Sequence, residues 1–182
     1  MRLLLAAAFL ALSIVTQGCG EASRAGSLVI SPRTLDGLAL SPATSFRRLR
    51  GFFAAPASAA FDSDGCRLRF RELGLRAEFF SFAEGTATPK ECDILSGAVV
   101  TTRRWRTGKG LRVGASSGDL HRAYPRADRW GVVGGTHWGI PAGAISWELA
   151  AAAHTGHAAH LVLFAYVKRG RVVALGVDTV GH

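Results

Sequence analysis

The chain has 182 residues, of which 48% are hydrophobic and 19% are charged, and its formal net charge is +9. These values are typical of a globular protein with enough apolar residues for a core, and they exclude a disordered or fibrous chain. All but three of the 22 basic residues are arginine. The positive charge therefore indicates either an anionic partner or the amino-acid bias of a GC-rich genome.

An apolar segment starts directly after Arg2 and extends over residues 3–16. As a helix it would span about 21 Å, which is less than the roughly 30 Å hydrocarbon core of a bilayer. The segment therefore predicts a cleaved signal peptide over residues 1–18 rather than a stable membrane anchor. Residues 20–27 are small and polar, which is typical of a tether ahead of a folded domain.

Residues 15–19 (VTQGC) resemble the lipobox of bacterial lipoproteins, in which small or apolar residues precede a Gly-Cys pair. Thr16 and Gln17 depart from its commonest form. The resemblance implies that Cys19 carries a thioether-linked diacylglycerol and begins a lipidated tether over residues 19–27. It also implies export to the bacterial cell membrane or outer membrane, facing the periplasm or the exterior. The alternative is an ordinary secreted protein in which Cys19 has no such role.

The two remaining cysteines, Cys66 and Cys92, are an even pair in a chain with an export signal, which predicts a disulfide. It would close a loop of about 26 residues and contribute about 3 kcal/mol by the chain-entropy estimate. A metal site is disfavoured because the chain has no Cys-x-x-Cys motif and no histidine between the two cysteines. Two free buried thiols are the alternative.

A weak internal duplication divides the rest of the chain. Residues 37–42 (GLALSP) are similar to residues 110–115 (GLRVGA), at an offset of about 73 residues, and a short amphipathic segment follows each. This offset predicts two tandem units, over residues 28–104 and 105–182. Each would contain a short helix and antiparallel strands, so the expected fold class is α+β with a mainly antiparallel sheet.

Each unit has a predicted helix start. Ser41 has the form of an N-cap with Pro42 at the first helical position, which predicts a helix over residues 42–54. Ser116 and Asp119 have the spacing of a capping box, which predicts a helix over residues 117–123.

Strands are predicted from alternation. Residues 66–71 place Cys66, Leu68 and Phe70 on one face, and residues 75–79 alternate in the same way. Pairing Phe70 with Leu75 puts every apolar side chain on one face and sets Arg69 opposite Arg76. Residues 97–102 predict a third strand.

Residues 160–167 and 171–177 predict a β-hairpin, because two β-rich segments flank Arg169-Gly170. Both faces of these strands are apolar, which predicts a central position with further layers on both sides. Residues 144–153 fit a helix or a strand, and their place before the hairpin favours a strand.

One segment has the pattern of a serine nucleophile. Residues 114–118 satisfy G-x-S-x-G from Gly114 to Gly118, and Ser116 would be the nucleophile of a secreted serine hydrolase. The strand before it is weakly apolar and the upstream chain indicates antiparallel hairpins, so a helix cap explains Ser116 better. We therefore expect no enzyme activity, with the hydrolase as the alternative. Its acid and base would come from Glu148 or Asp178 and from His154, His157, His160 or His182.

No cofactor or metal site is predicted. His154, His157 and His160 would not converge on either a helix or a strand. The segment Gly108-Lys109-Gly110 lacks the other residues of a phosphate-binding loop.

Clustered arginines are the remaining candidate feature. An exported protein meets anionic headgroups and envelope polymers rather than nucleic acid, and removal of Arg2 leaves the mature chain at +8. The alternative is a solvated, arginine-rich surface. Exposed Trp105, Trp130 or Trp138 beside arginines on a concave face would mark a binding site, whereas burial would assign them to the core. The candidate patch for an anionic partner consists of Arg67, Arg69, Arg71, Arg103, Arg104 and Arg106.

The tether and the two predicted units together resemble, in architecture, the SmpA/OmlA (BamE-like) envelope lipoproteins and the tandem β-lactamase-inhibitor-protein fold. The resemblance is carried by residues 37–41, residues 110–114 and Tyr124-Pro125. It implies a non-enzymatic module that binds an envelope protein or polymer through its sheet or loops.

Overall fold

The computed structural model describes residues 27–82, 85–135, 138–151 and 159–180. Their fold is mostly antiparallel β-sheet with two short helices, α1 (Phe46–Phe52) and α2 (Ser117–Ala123). This architecture fits the predicted α+β class. The strands are β1 (Leu28–Ile30), β2 (Thr34–Leu35), β3 (Leu38–Ala39), β4 (Ser58–Asp62), β5 (Gly65–Phe70), β6 (Leu75–Phe80), β7 (Ile94–Val100), β8 (Trp105–Thr107), β9 (Asp128–Val132), β10 (Ile145–Ala151), β11 (His160–Lys168) and β12 (Arg171–Val180).

Eight strands form one large sheet in the order β4-β5-β6-β7-β12-β11-β10-β9, and all of its pairings are antiparallel. In the chain, β4–β7 follow α1 and β9–β12 follow α2. The last strands of these two runs are neighbours at the centre, with Val100 opposite Leu175. We call β4–β7 the first half and β9–β12 the second half of the large sheet. The four short strands form a second sheet in the order β3-β2-β1-β8.

The predicted pairing of β5 with β6 is confirmed. Phe70 lies opposite Leu75, Leu68 opposite Ala77 and Cys66 opposite Phe79. The core-facing apolar residues of β5 and β6 therefore share one face of the large sheet, which we call the inner face. It packs on the main core, in which Phe46 and Leu49 of α1 and Leu120 of α2 are buried.

The predicted central hairpin is also confirmed. Arg169 and Gly170 both have positive φ, 51° and 72°, as a two-residue turn of type I′ requires. The segment before it is a strand, β10, which resolves the helix-or-strand ambiguity. The outer face of the second half is covered by the connection from β9 to β10, where Ile140 and Ala144 are buried against Ala174. Burial there, with a smaller contribution from the charge of Asp178, raises the pKa of Tyr166 well above its usual range.

The first helix does not start where it was predicted. Residues 41–44 form a turn, in which Thr44 N–H donates to the Ser41 carbonyl at 2.9 Å and Ser41 N–H donates to Thr44 Oγ1 at 2.9 Å. Ser45 is the N-cap instead and accepts from Arg48 N–H at 3.3 Å. The expectation of Ser41 as the cap was wrong because Ser41 closes this turn.

The strand predicted over residues 97–102 is shifted. It spans Ile94–Val100 as β7, and residues 101–104 turn away from the sheet. Thr101 and Thr102 donate their hydroxyls to the carbonyls of Gly74 and Leu73, at 3.2 and 3.0 Å. These hydrogen bonds replace the pairing that would have extended the strand. The second helix, in contrast, spans the predicted residues.

Cys66 and Cys92, the predicted disulfide pair, are joined in the structure, with their Cα atoms 5.9 Å apart. The bond links the start of β5 to the loop before β7. The predicted signal peptide and most of the tether lie outside the described residues. Among the residues described, no helix is long and apolar enough to cross a membrane.

Candidate functional site

A groove of about 550 Å³ crosses the outer face of the first half of the large sheet. Because β5 and β6 alternate, the residues opposite their core-facing side chains point into it: Arg67 and Arg69 from β5, and Arg76 from β6. Trp138, from the connection between β9 and β10, also lines it. We call this site the outer groove.

Two glycines allow the Trp138 segment to lie close to the sheet. A Cβ atom on Gly97 of β7 would lie 2.2 Å from Trp138 Cη2, so the indole packs directly on the strand backbone. A Cβ atom on Gly139 would lie 3.1 Å from Cζ of Arg76. Trp138 itself has φ 56°, a region that costs about 1–3 kcal/mol for a residue with a side chain. The surrounding contacts therefore hold Trp138 in place as a wall of the groove.

The charges in the outer groove are balanced. Arg67 lies opposite Glu78 and forms an ion pair with Asp62. Arg69 and Arg76 lie opposite each other, and neither makes an ion pair within the described chain. The three arginines are matched by three lining carboxylates, those of Asp62, Asp64 and Glu78. The charges of the described lining residues therefore cancel, but Arg69 and Arg76 are two adjacent cations that a ligand could reach.

The groove is bordered by an edge of the sheet. Among the strands that the structure describes, β4 pairs only with β5, and the side chains of Ser58, Ala59 and Ala60 are exposed along it. Phe80, which is 52% exposed, lies at the end of β6 and also lines the groove. Polar, apolar and backbone groups are thus all accessible around one concave site.

A second site, of about 720 Å³, lies between α2 and the segment before it. We call it the cationic cleft, because five basic residues and one acid line it, giving a net charge of +4. The acid, Asp119, is already engaged with Arg122 at 2.6 Å and with Ser116. The basic residues are Arg103, Lys109, Arg112, Arg122 and Arg171.

Ser116, the candidate nucleophile, is the N-cap of α2. Its Oγ donates to Asp119 Oδ2 at 2.7 Å and accepts from Asp119 N–H at 3.1 Å. The Ser116 backbone N–H also donates to Oδ2, at 3.0 Å. Together with Arg122, these bonds lower the pKa of Asp119 to about 2. The predicted capping box is therefore confirmed, and its hydrogen bonds occupy the Ser116 hydroxyl.

The described partners proposed for Ser116 lie away from it, because Ser116 bridges to Arg171 at the start of β12, whereas Asp178 is near the end of that strand and His160 pairs with Val180. Glu148 lies on β10, Asp178 on β12, and His160 is buried on β11. His154, His157 and His182 lie outside the described residues. Within the part of the chain that the structure describes, no group of three or more His, Cys, Asp or Glu residues could hold a metal ion.

The structure does not bring the six arginines of the predicted patch together in one site. Arg67 and Arg69 lie in the outer groove, whereas Arg103 lines the cationic cleft. Arg71 and Arg104 are exposed in turns, and Arg106 lies on β8. The turn that holds Arg71 contacts the turn that holds Arg104, because Thr101 N–H donates to the Gly74 carbonyl at 3.0 Å.

The three candidate tryptophans also lie in different environments. Trp105 is fully buried and donates its indole N–H to the Leu73 carbonyl at 2.8 Å, so it belongs to the core. Trp130 is 61% exposed on β9, and Trp138 lies beside arginines in the groove. Sequence reasoning did not include Arg76, Arg112 or Arg171 in the patch. Arg76 could have been included, because the predicted register already placed it opposite Arg69.

Comparison of the chain with protein-family models, with curated proteins and with solved structures found no match. A function must therefore be argued from the chemistry of the two sites. The outer groove combines an aromatic wall with balanced charges, and the cationic cleft concentrates one sign of charge.

Proposed function

We propose that this chain is a membrane-anchored lipoprotein of the bacterial cell envelope and that its folded part is a non-enzymatic module that binds another envelope protein. The lipobox-like residues 15–19 support the anchor. The disulfide between Cys66 and Cys92 supports export, because such bonds persist in oxidising compartments. Two or three acyl chains on Cys19 would hold the protein on a membrane where one chain would be marginal.

The outer groove is the observation that carries the binding proposal. Tryptophan and arginine dominate the binding energy of many protein interfaces, and here Trp138 lines the same groove as three arginines. Balanced charge favours a polypeptide that carries both signs over a polyanion, for which a neutral site has little long-range attraction. The edge strand β4 also offers backbone groups to an added strand. An extended segment of a partner protein fits these features best, and an anionic polymer is the other partner to test.

Site-specific photo-crosslinking in intact cells tests the groove. The probe p-benzoylphenylalanine would replace Phe80, which lines the groove, or Phe52 of α1, which is 38% exposed elsewhere. We expect a discrete protein adduct from position 80 and none from position 52. Adding Arg69→Glu should lower the yield at position 80. Equal adducts at both positions, or a polymer adduct at position 80, would contradict binding of a protein in the groove.

Incorporation of radioactive palmitate tests the anchor. Wild-type chain and the Cys19→Ala variant would be labelled in a lipoprotein-processing bacterial host. We expect label in the wild type only, since Cys19 is the proposed attachment site. Label in both chains, or in neither, would contradict lipidation at Cys19.

We also propose that the two halves are copies of one unit. The support is the repeated order of a serine-capped helix followed by four antiparallel strands, with the fourth strands paired at the centre. The boundary near residue 104 would then separate the copies, although β1 crosses it to pair with β8. The resemblance to BamE-like lipoproteins and tandem inhibitor modules belongs with this proposal.

A further inference from the structure

Exposed arginines gather at one end of the large sheet. Strands β5, β7 and β11 run in the same direction, so the turns at their carboxyl ends lie at the same end of the sheet. The only acid in these three turns, residues 71–74, 101–104 and 169–170, is Glu72. We call this region the basic end, and its exposed arginines are Arg71, Arg103, Arg104, Arg169 and Arg171.

The opposite end of the first half has the opposite charge. Asp62 ends β4 and Asp64 lies in the turn to β5, and the described part of the loop between β6 and β7 carries Glu91 and Asp93 with one base, Lys90. An arginine-rich genome raises the number of arginines but does not sort positive and negative charge to opposite ends. The sorting therefore favours a functional origin for the basic end.

The chain enters the fold at the basic end. Strand β1 pairs in parallel with β8, with Leu28 opposite Trp105, and Leu28 N–H donates to the Arg104 carbonyl at 2.8 Å. Residues 20–27 separate this point from Cys19. Even fully extended, they span at most about 30 Å. An anchor at Cys19 would therefore keep the basic end near the membrane surface.

Two arginines of the basic end also line the cationic cleft. Arg171 Nη1 donates to the Gly114 carbonyl at 3.2 Å. Arg103 packs against the same residue, since a Cβ atom on Gly114 would lie 3.1 Å from Arg103 Nε. These contacts hold two guanidinium groups beside a cleft of net charge +4, and guanidinium groups bind phosphate with paired hydrogen bonds. The basic end thus offers ordered phosphate-binding groups as well as diffuse charge.

We infer that the basic end docks on the anionic phospholipid headgroups of the membrane that holds the anchor. The inference rests on the proposed function, because the tether is what brings this end to the bilayer. Docking would orient the strands of the large sheet roughly perpendicular to the membrane plane. Asp62 and Asp64, at the opposite end of the strands, would then lie far from the membrane. The outer groove would then stand on a side face, open to a partner protein.

Vesicle titration tests the docking surface without the acyl chains. The full chain carrying Cys19→Ala is titrated with vesicles of phosphatidylcholine alone and with vesicles that contain roughly one third phosphatidylglycerol. The apolar leader is present in every sample, so the ratio of the two affinities reports the charge-dependent contribution. We expect tighter binding to the anionic vesicles and loss of this preference in high salt.

A matched pair of variants locates the effect. Replacing Arg103, Arg104 and Arg169 with Gln should lower the preference for anionic vesicles by about 100-fold, because each basic residue near such a surface contributes about fivefold. Replacing Arg47, Arg126 and Arg129 removes the same charge from exposed positions outside the three turns and should leave most of the preference. Near-ultraviolet circular dichroism would verify that both variants fold.

Three outcomes would overturn the docking surface: no preference of the parent chain for anionic vesicles, an equal loss in both variants, or release by millimolar inorganic phosphate. The last would indicate a site for small anions. Failure of palmitate labelling with the vesicle preference intact would refute the anchor alone. Labelling without the preference would refute the docking surface alone.

Discussion

The two halves of the large sheet are stabilised by different means. In the first half the outer face is open along the groove, and the disulfide between Cys66 and Cys92 ties β5 to the loop before β7. In the second half the outer face is covered by an apolar layer that includes Ile140 and Ala144. The helix that precedes the second half is also capped more fully. Helix α1 has one cap hydrogen bond, to Ser45, whereas α2 has a complete capping box.

This difference shows how a sheet can keep one face accessible. Covering the outer face of the first half would stabilise the fold by about 25 cal/mol for each Å² of apolar surface buried. It would also close the groove. The disulfide joins β5 to the loop before β7 and stabilises the first half without covering its outer face. We therefore expect the first half to depend on the disulfide more than the second half does.

Removal of the disulfide should have the largest effect. The double variant Cys66→Ala/Cys92→Ala should lower the free energy of unfolding by about 3 kcal/mol, because the unfolded chain regains the entropy of the open loop. Urea denaturation measures the total change. Hydrogen exchange should show β4–β6 opening before β11 and β12, and a uniform increase across the sheet would contradict the difference between the halves.

Filling the space under Trp138 should have the next largest effect. In Gly97→Ala the new methyl group would meet the indole ring at 2.2 Å and the Val177 carbonyl oxygen at 2.8 Å, so we expect a loss of about 1–3 kcal/mol. Trp138 should also move, which tryptophan fluorescence would detect. Gly176→Ala is the control, because its nearest contact is the side-chain methyl of Val99 at 3.0 Å. Equal losses and equal spectra in both variants would argue against Trp138 as a fixed wall.

The sequence could predict those parts of the fold that depend on residues close together in the chain. Alternation was sufficient for the β5–β6 register, and positive φ at Arg169 and Gly170 agrees with a turn prediction made from two residues. The capping box of α2 also depends only on a local spacing. The start of α1 was missed because Ser41 and Ser45 both satisfy the local rule, and a turn decides between them.

The groove was less predictable, because its wall comes from a distant segment. The contact of Trp138 with Gly97 joins positions far apart in the chain, and no local pattern encodes it. A glycine inside a predicted strand was the available signal, since such glycines often mark a close approach of another group. The basic end required the order of the strands as well, because only the topology brings Arg71, Arg104 and Arg169 to one end.

Substitution of the two helix caps should have a smaller effect and should differ between the halves. Ser116→Ala should lower the free energy of unfolding by about 1 kcal/mol and Ser45→Ala by about half as much, because the Ser45 bond is longer and no acidic residue reinforces it. Thermal denaturation of both variants measures this. Hydrolysis of a generic ester by the purified wild type that is lost in Ser116→Ala would instead favour the hydrolase alternative.

The smallest predicted effect is the acid sensitivity of the α2 cap. Ser116 hydrogen bonds, assisted by Arg122, lower the pKa of Asp119 from 3.8 to about 2. A carboxyl whose pKa is depressed on folding stabilises the folded state above its unfolded pKa and loses that contribution as the pH falls through the folded value. The wild type should therefore exceed Asp119→Asn in stability at pH 5, with the difference disappearing as the pH falls from about 4 to 2. Chemical shifts of the Asp119 carboxyl during an acid titration would give the midpoint directly. A midpoint near 3.8, with a stability difference that does not depend on pH, would show that the capping box is not formed in solution, and the second half would then have no better helix cap than the first.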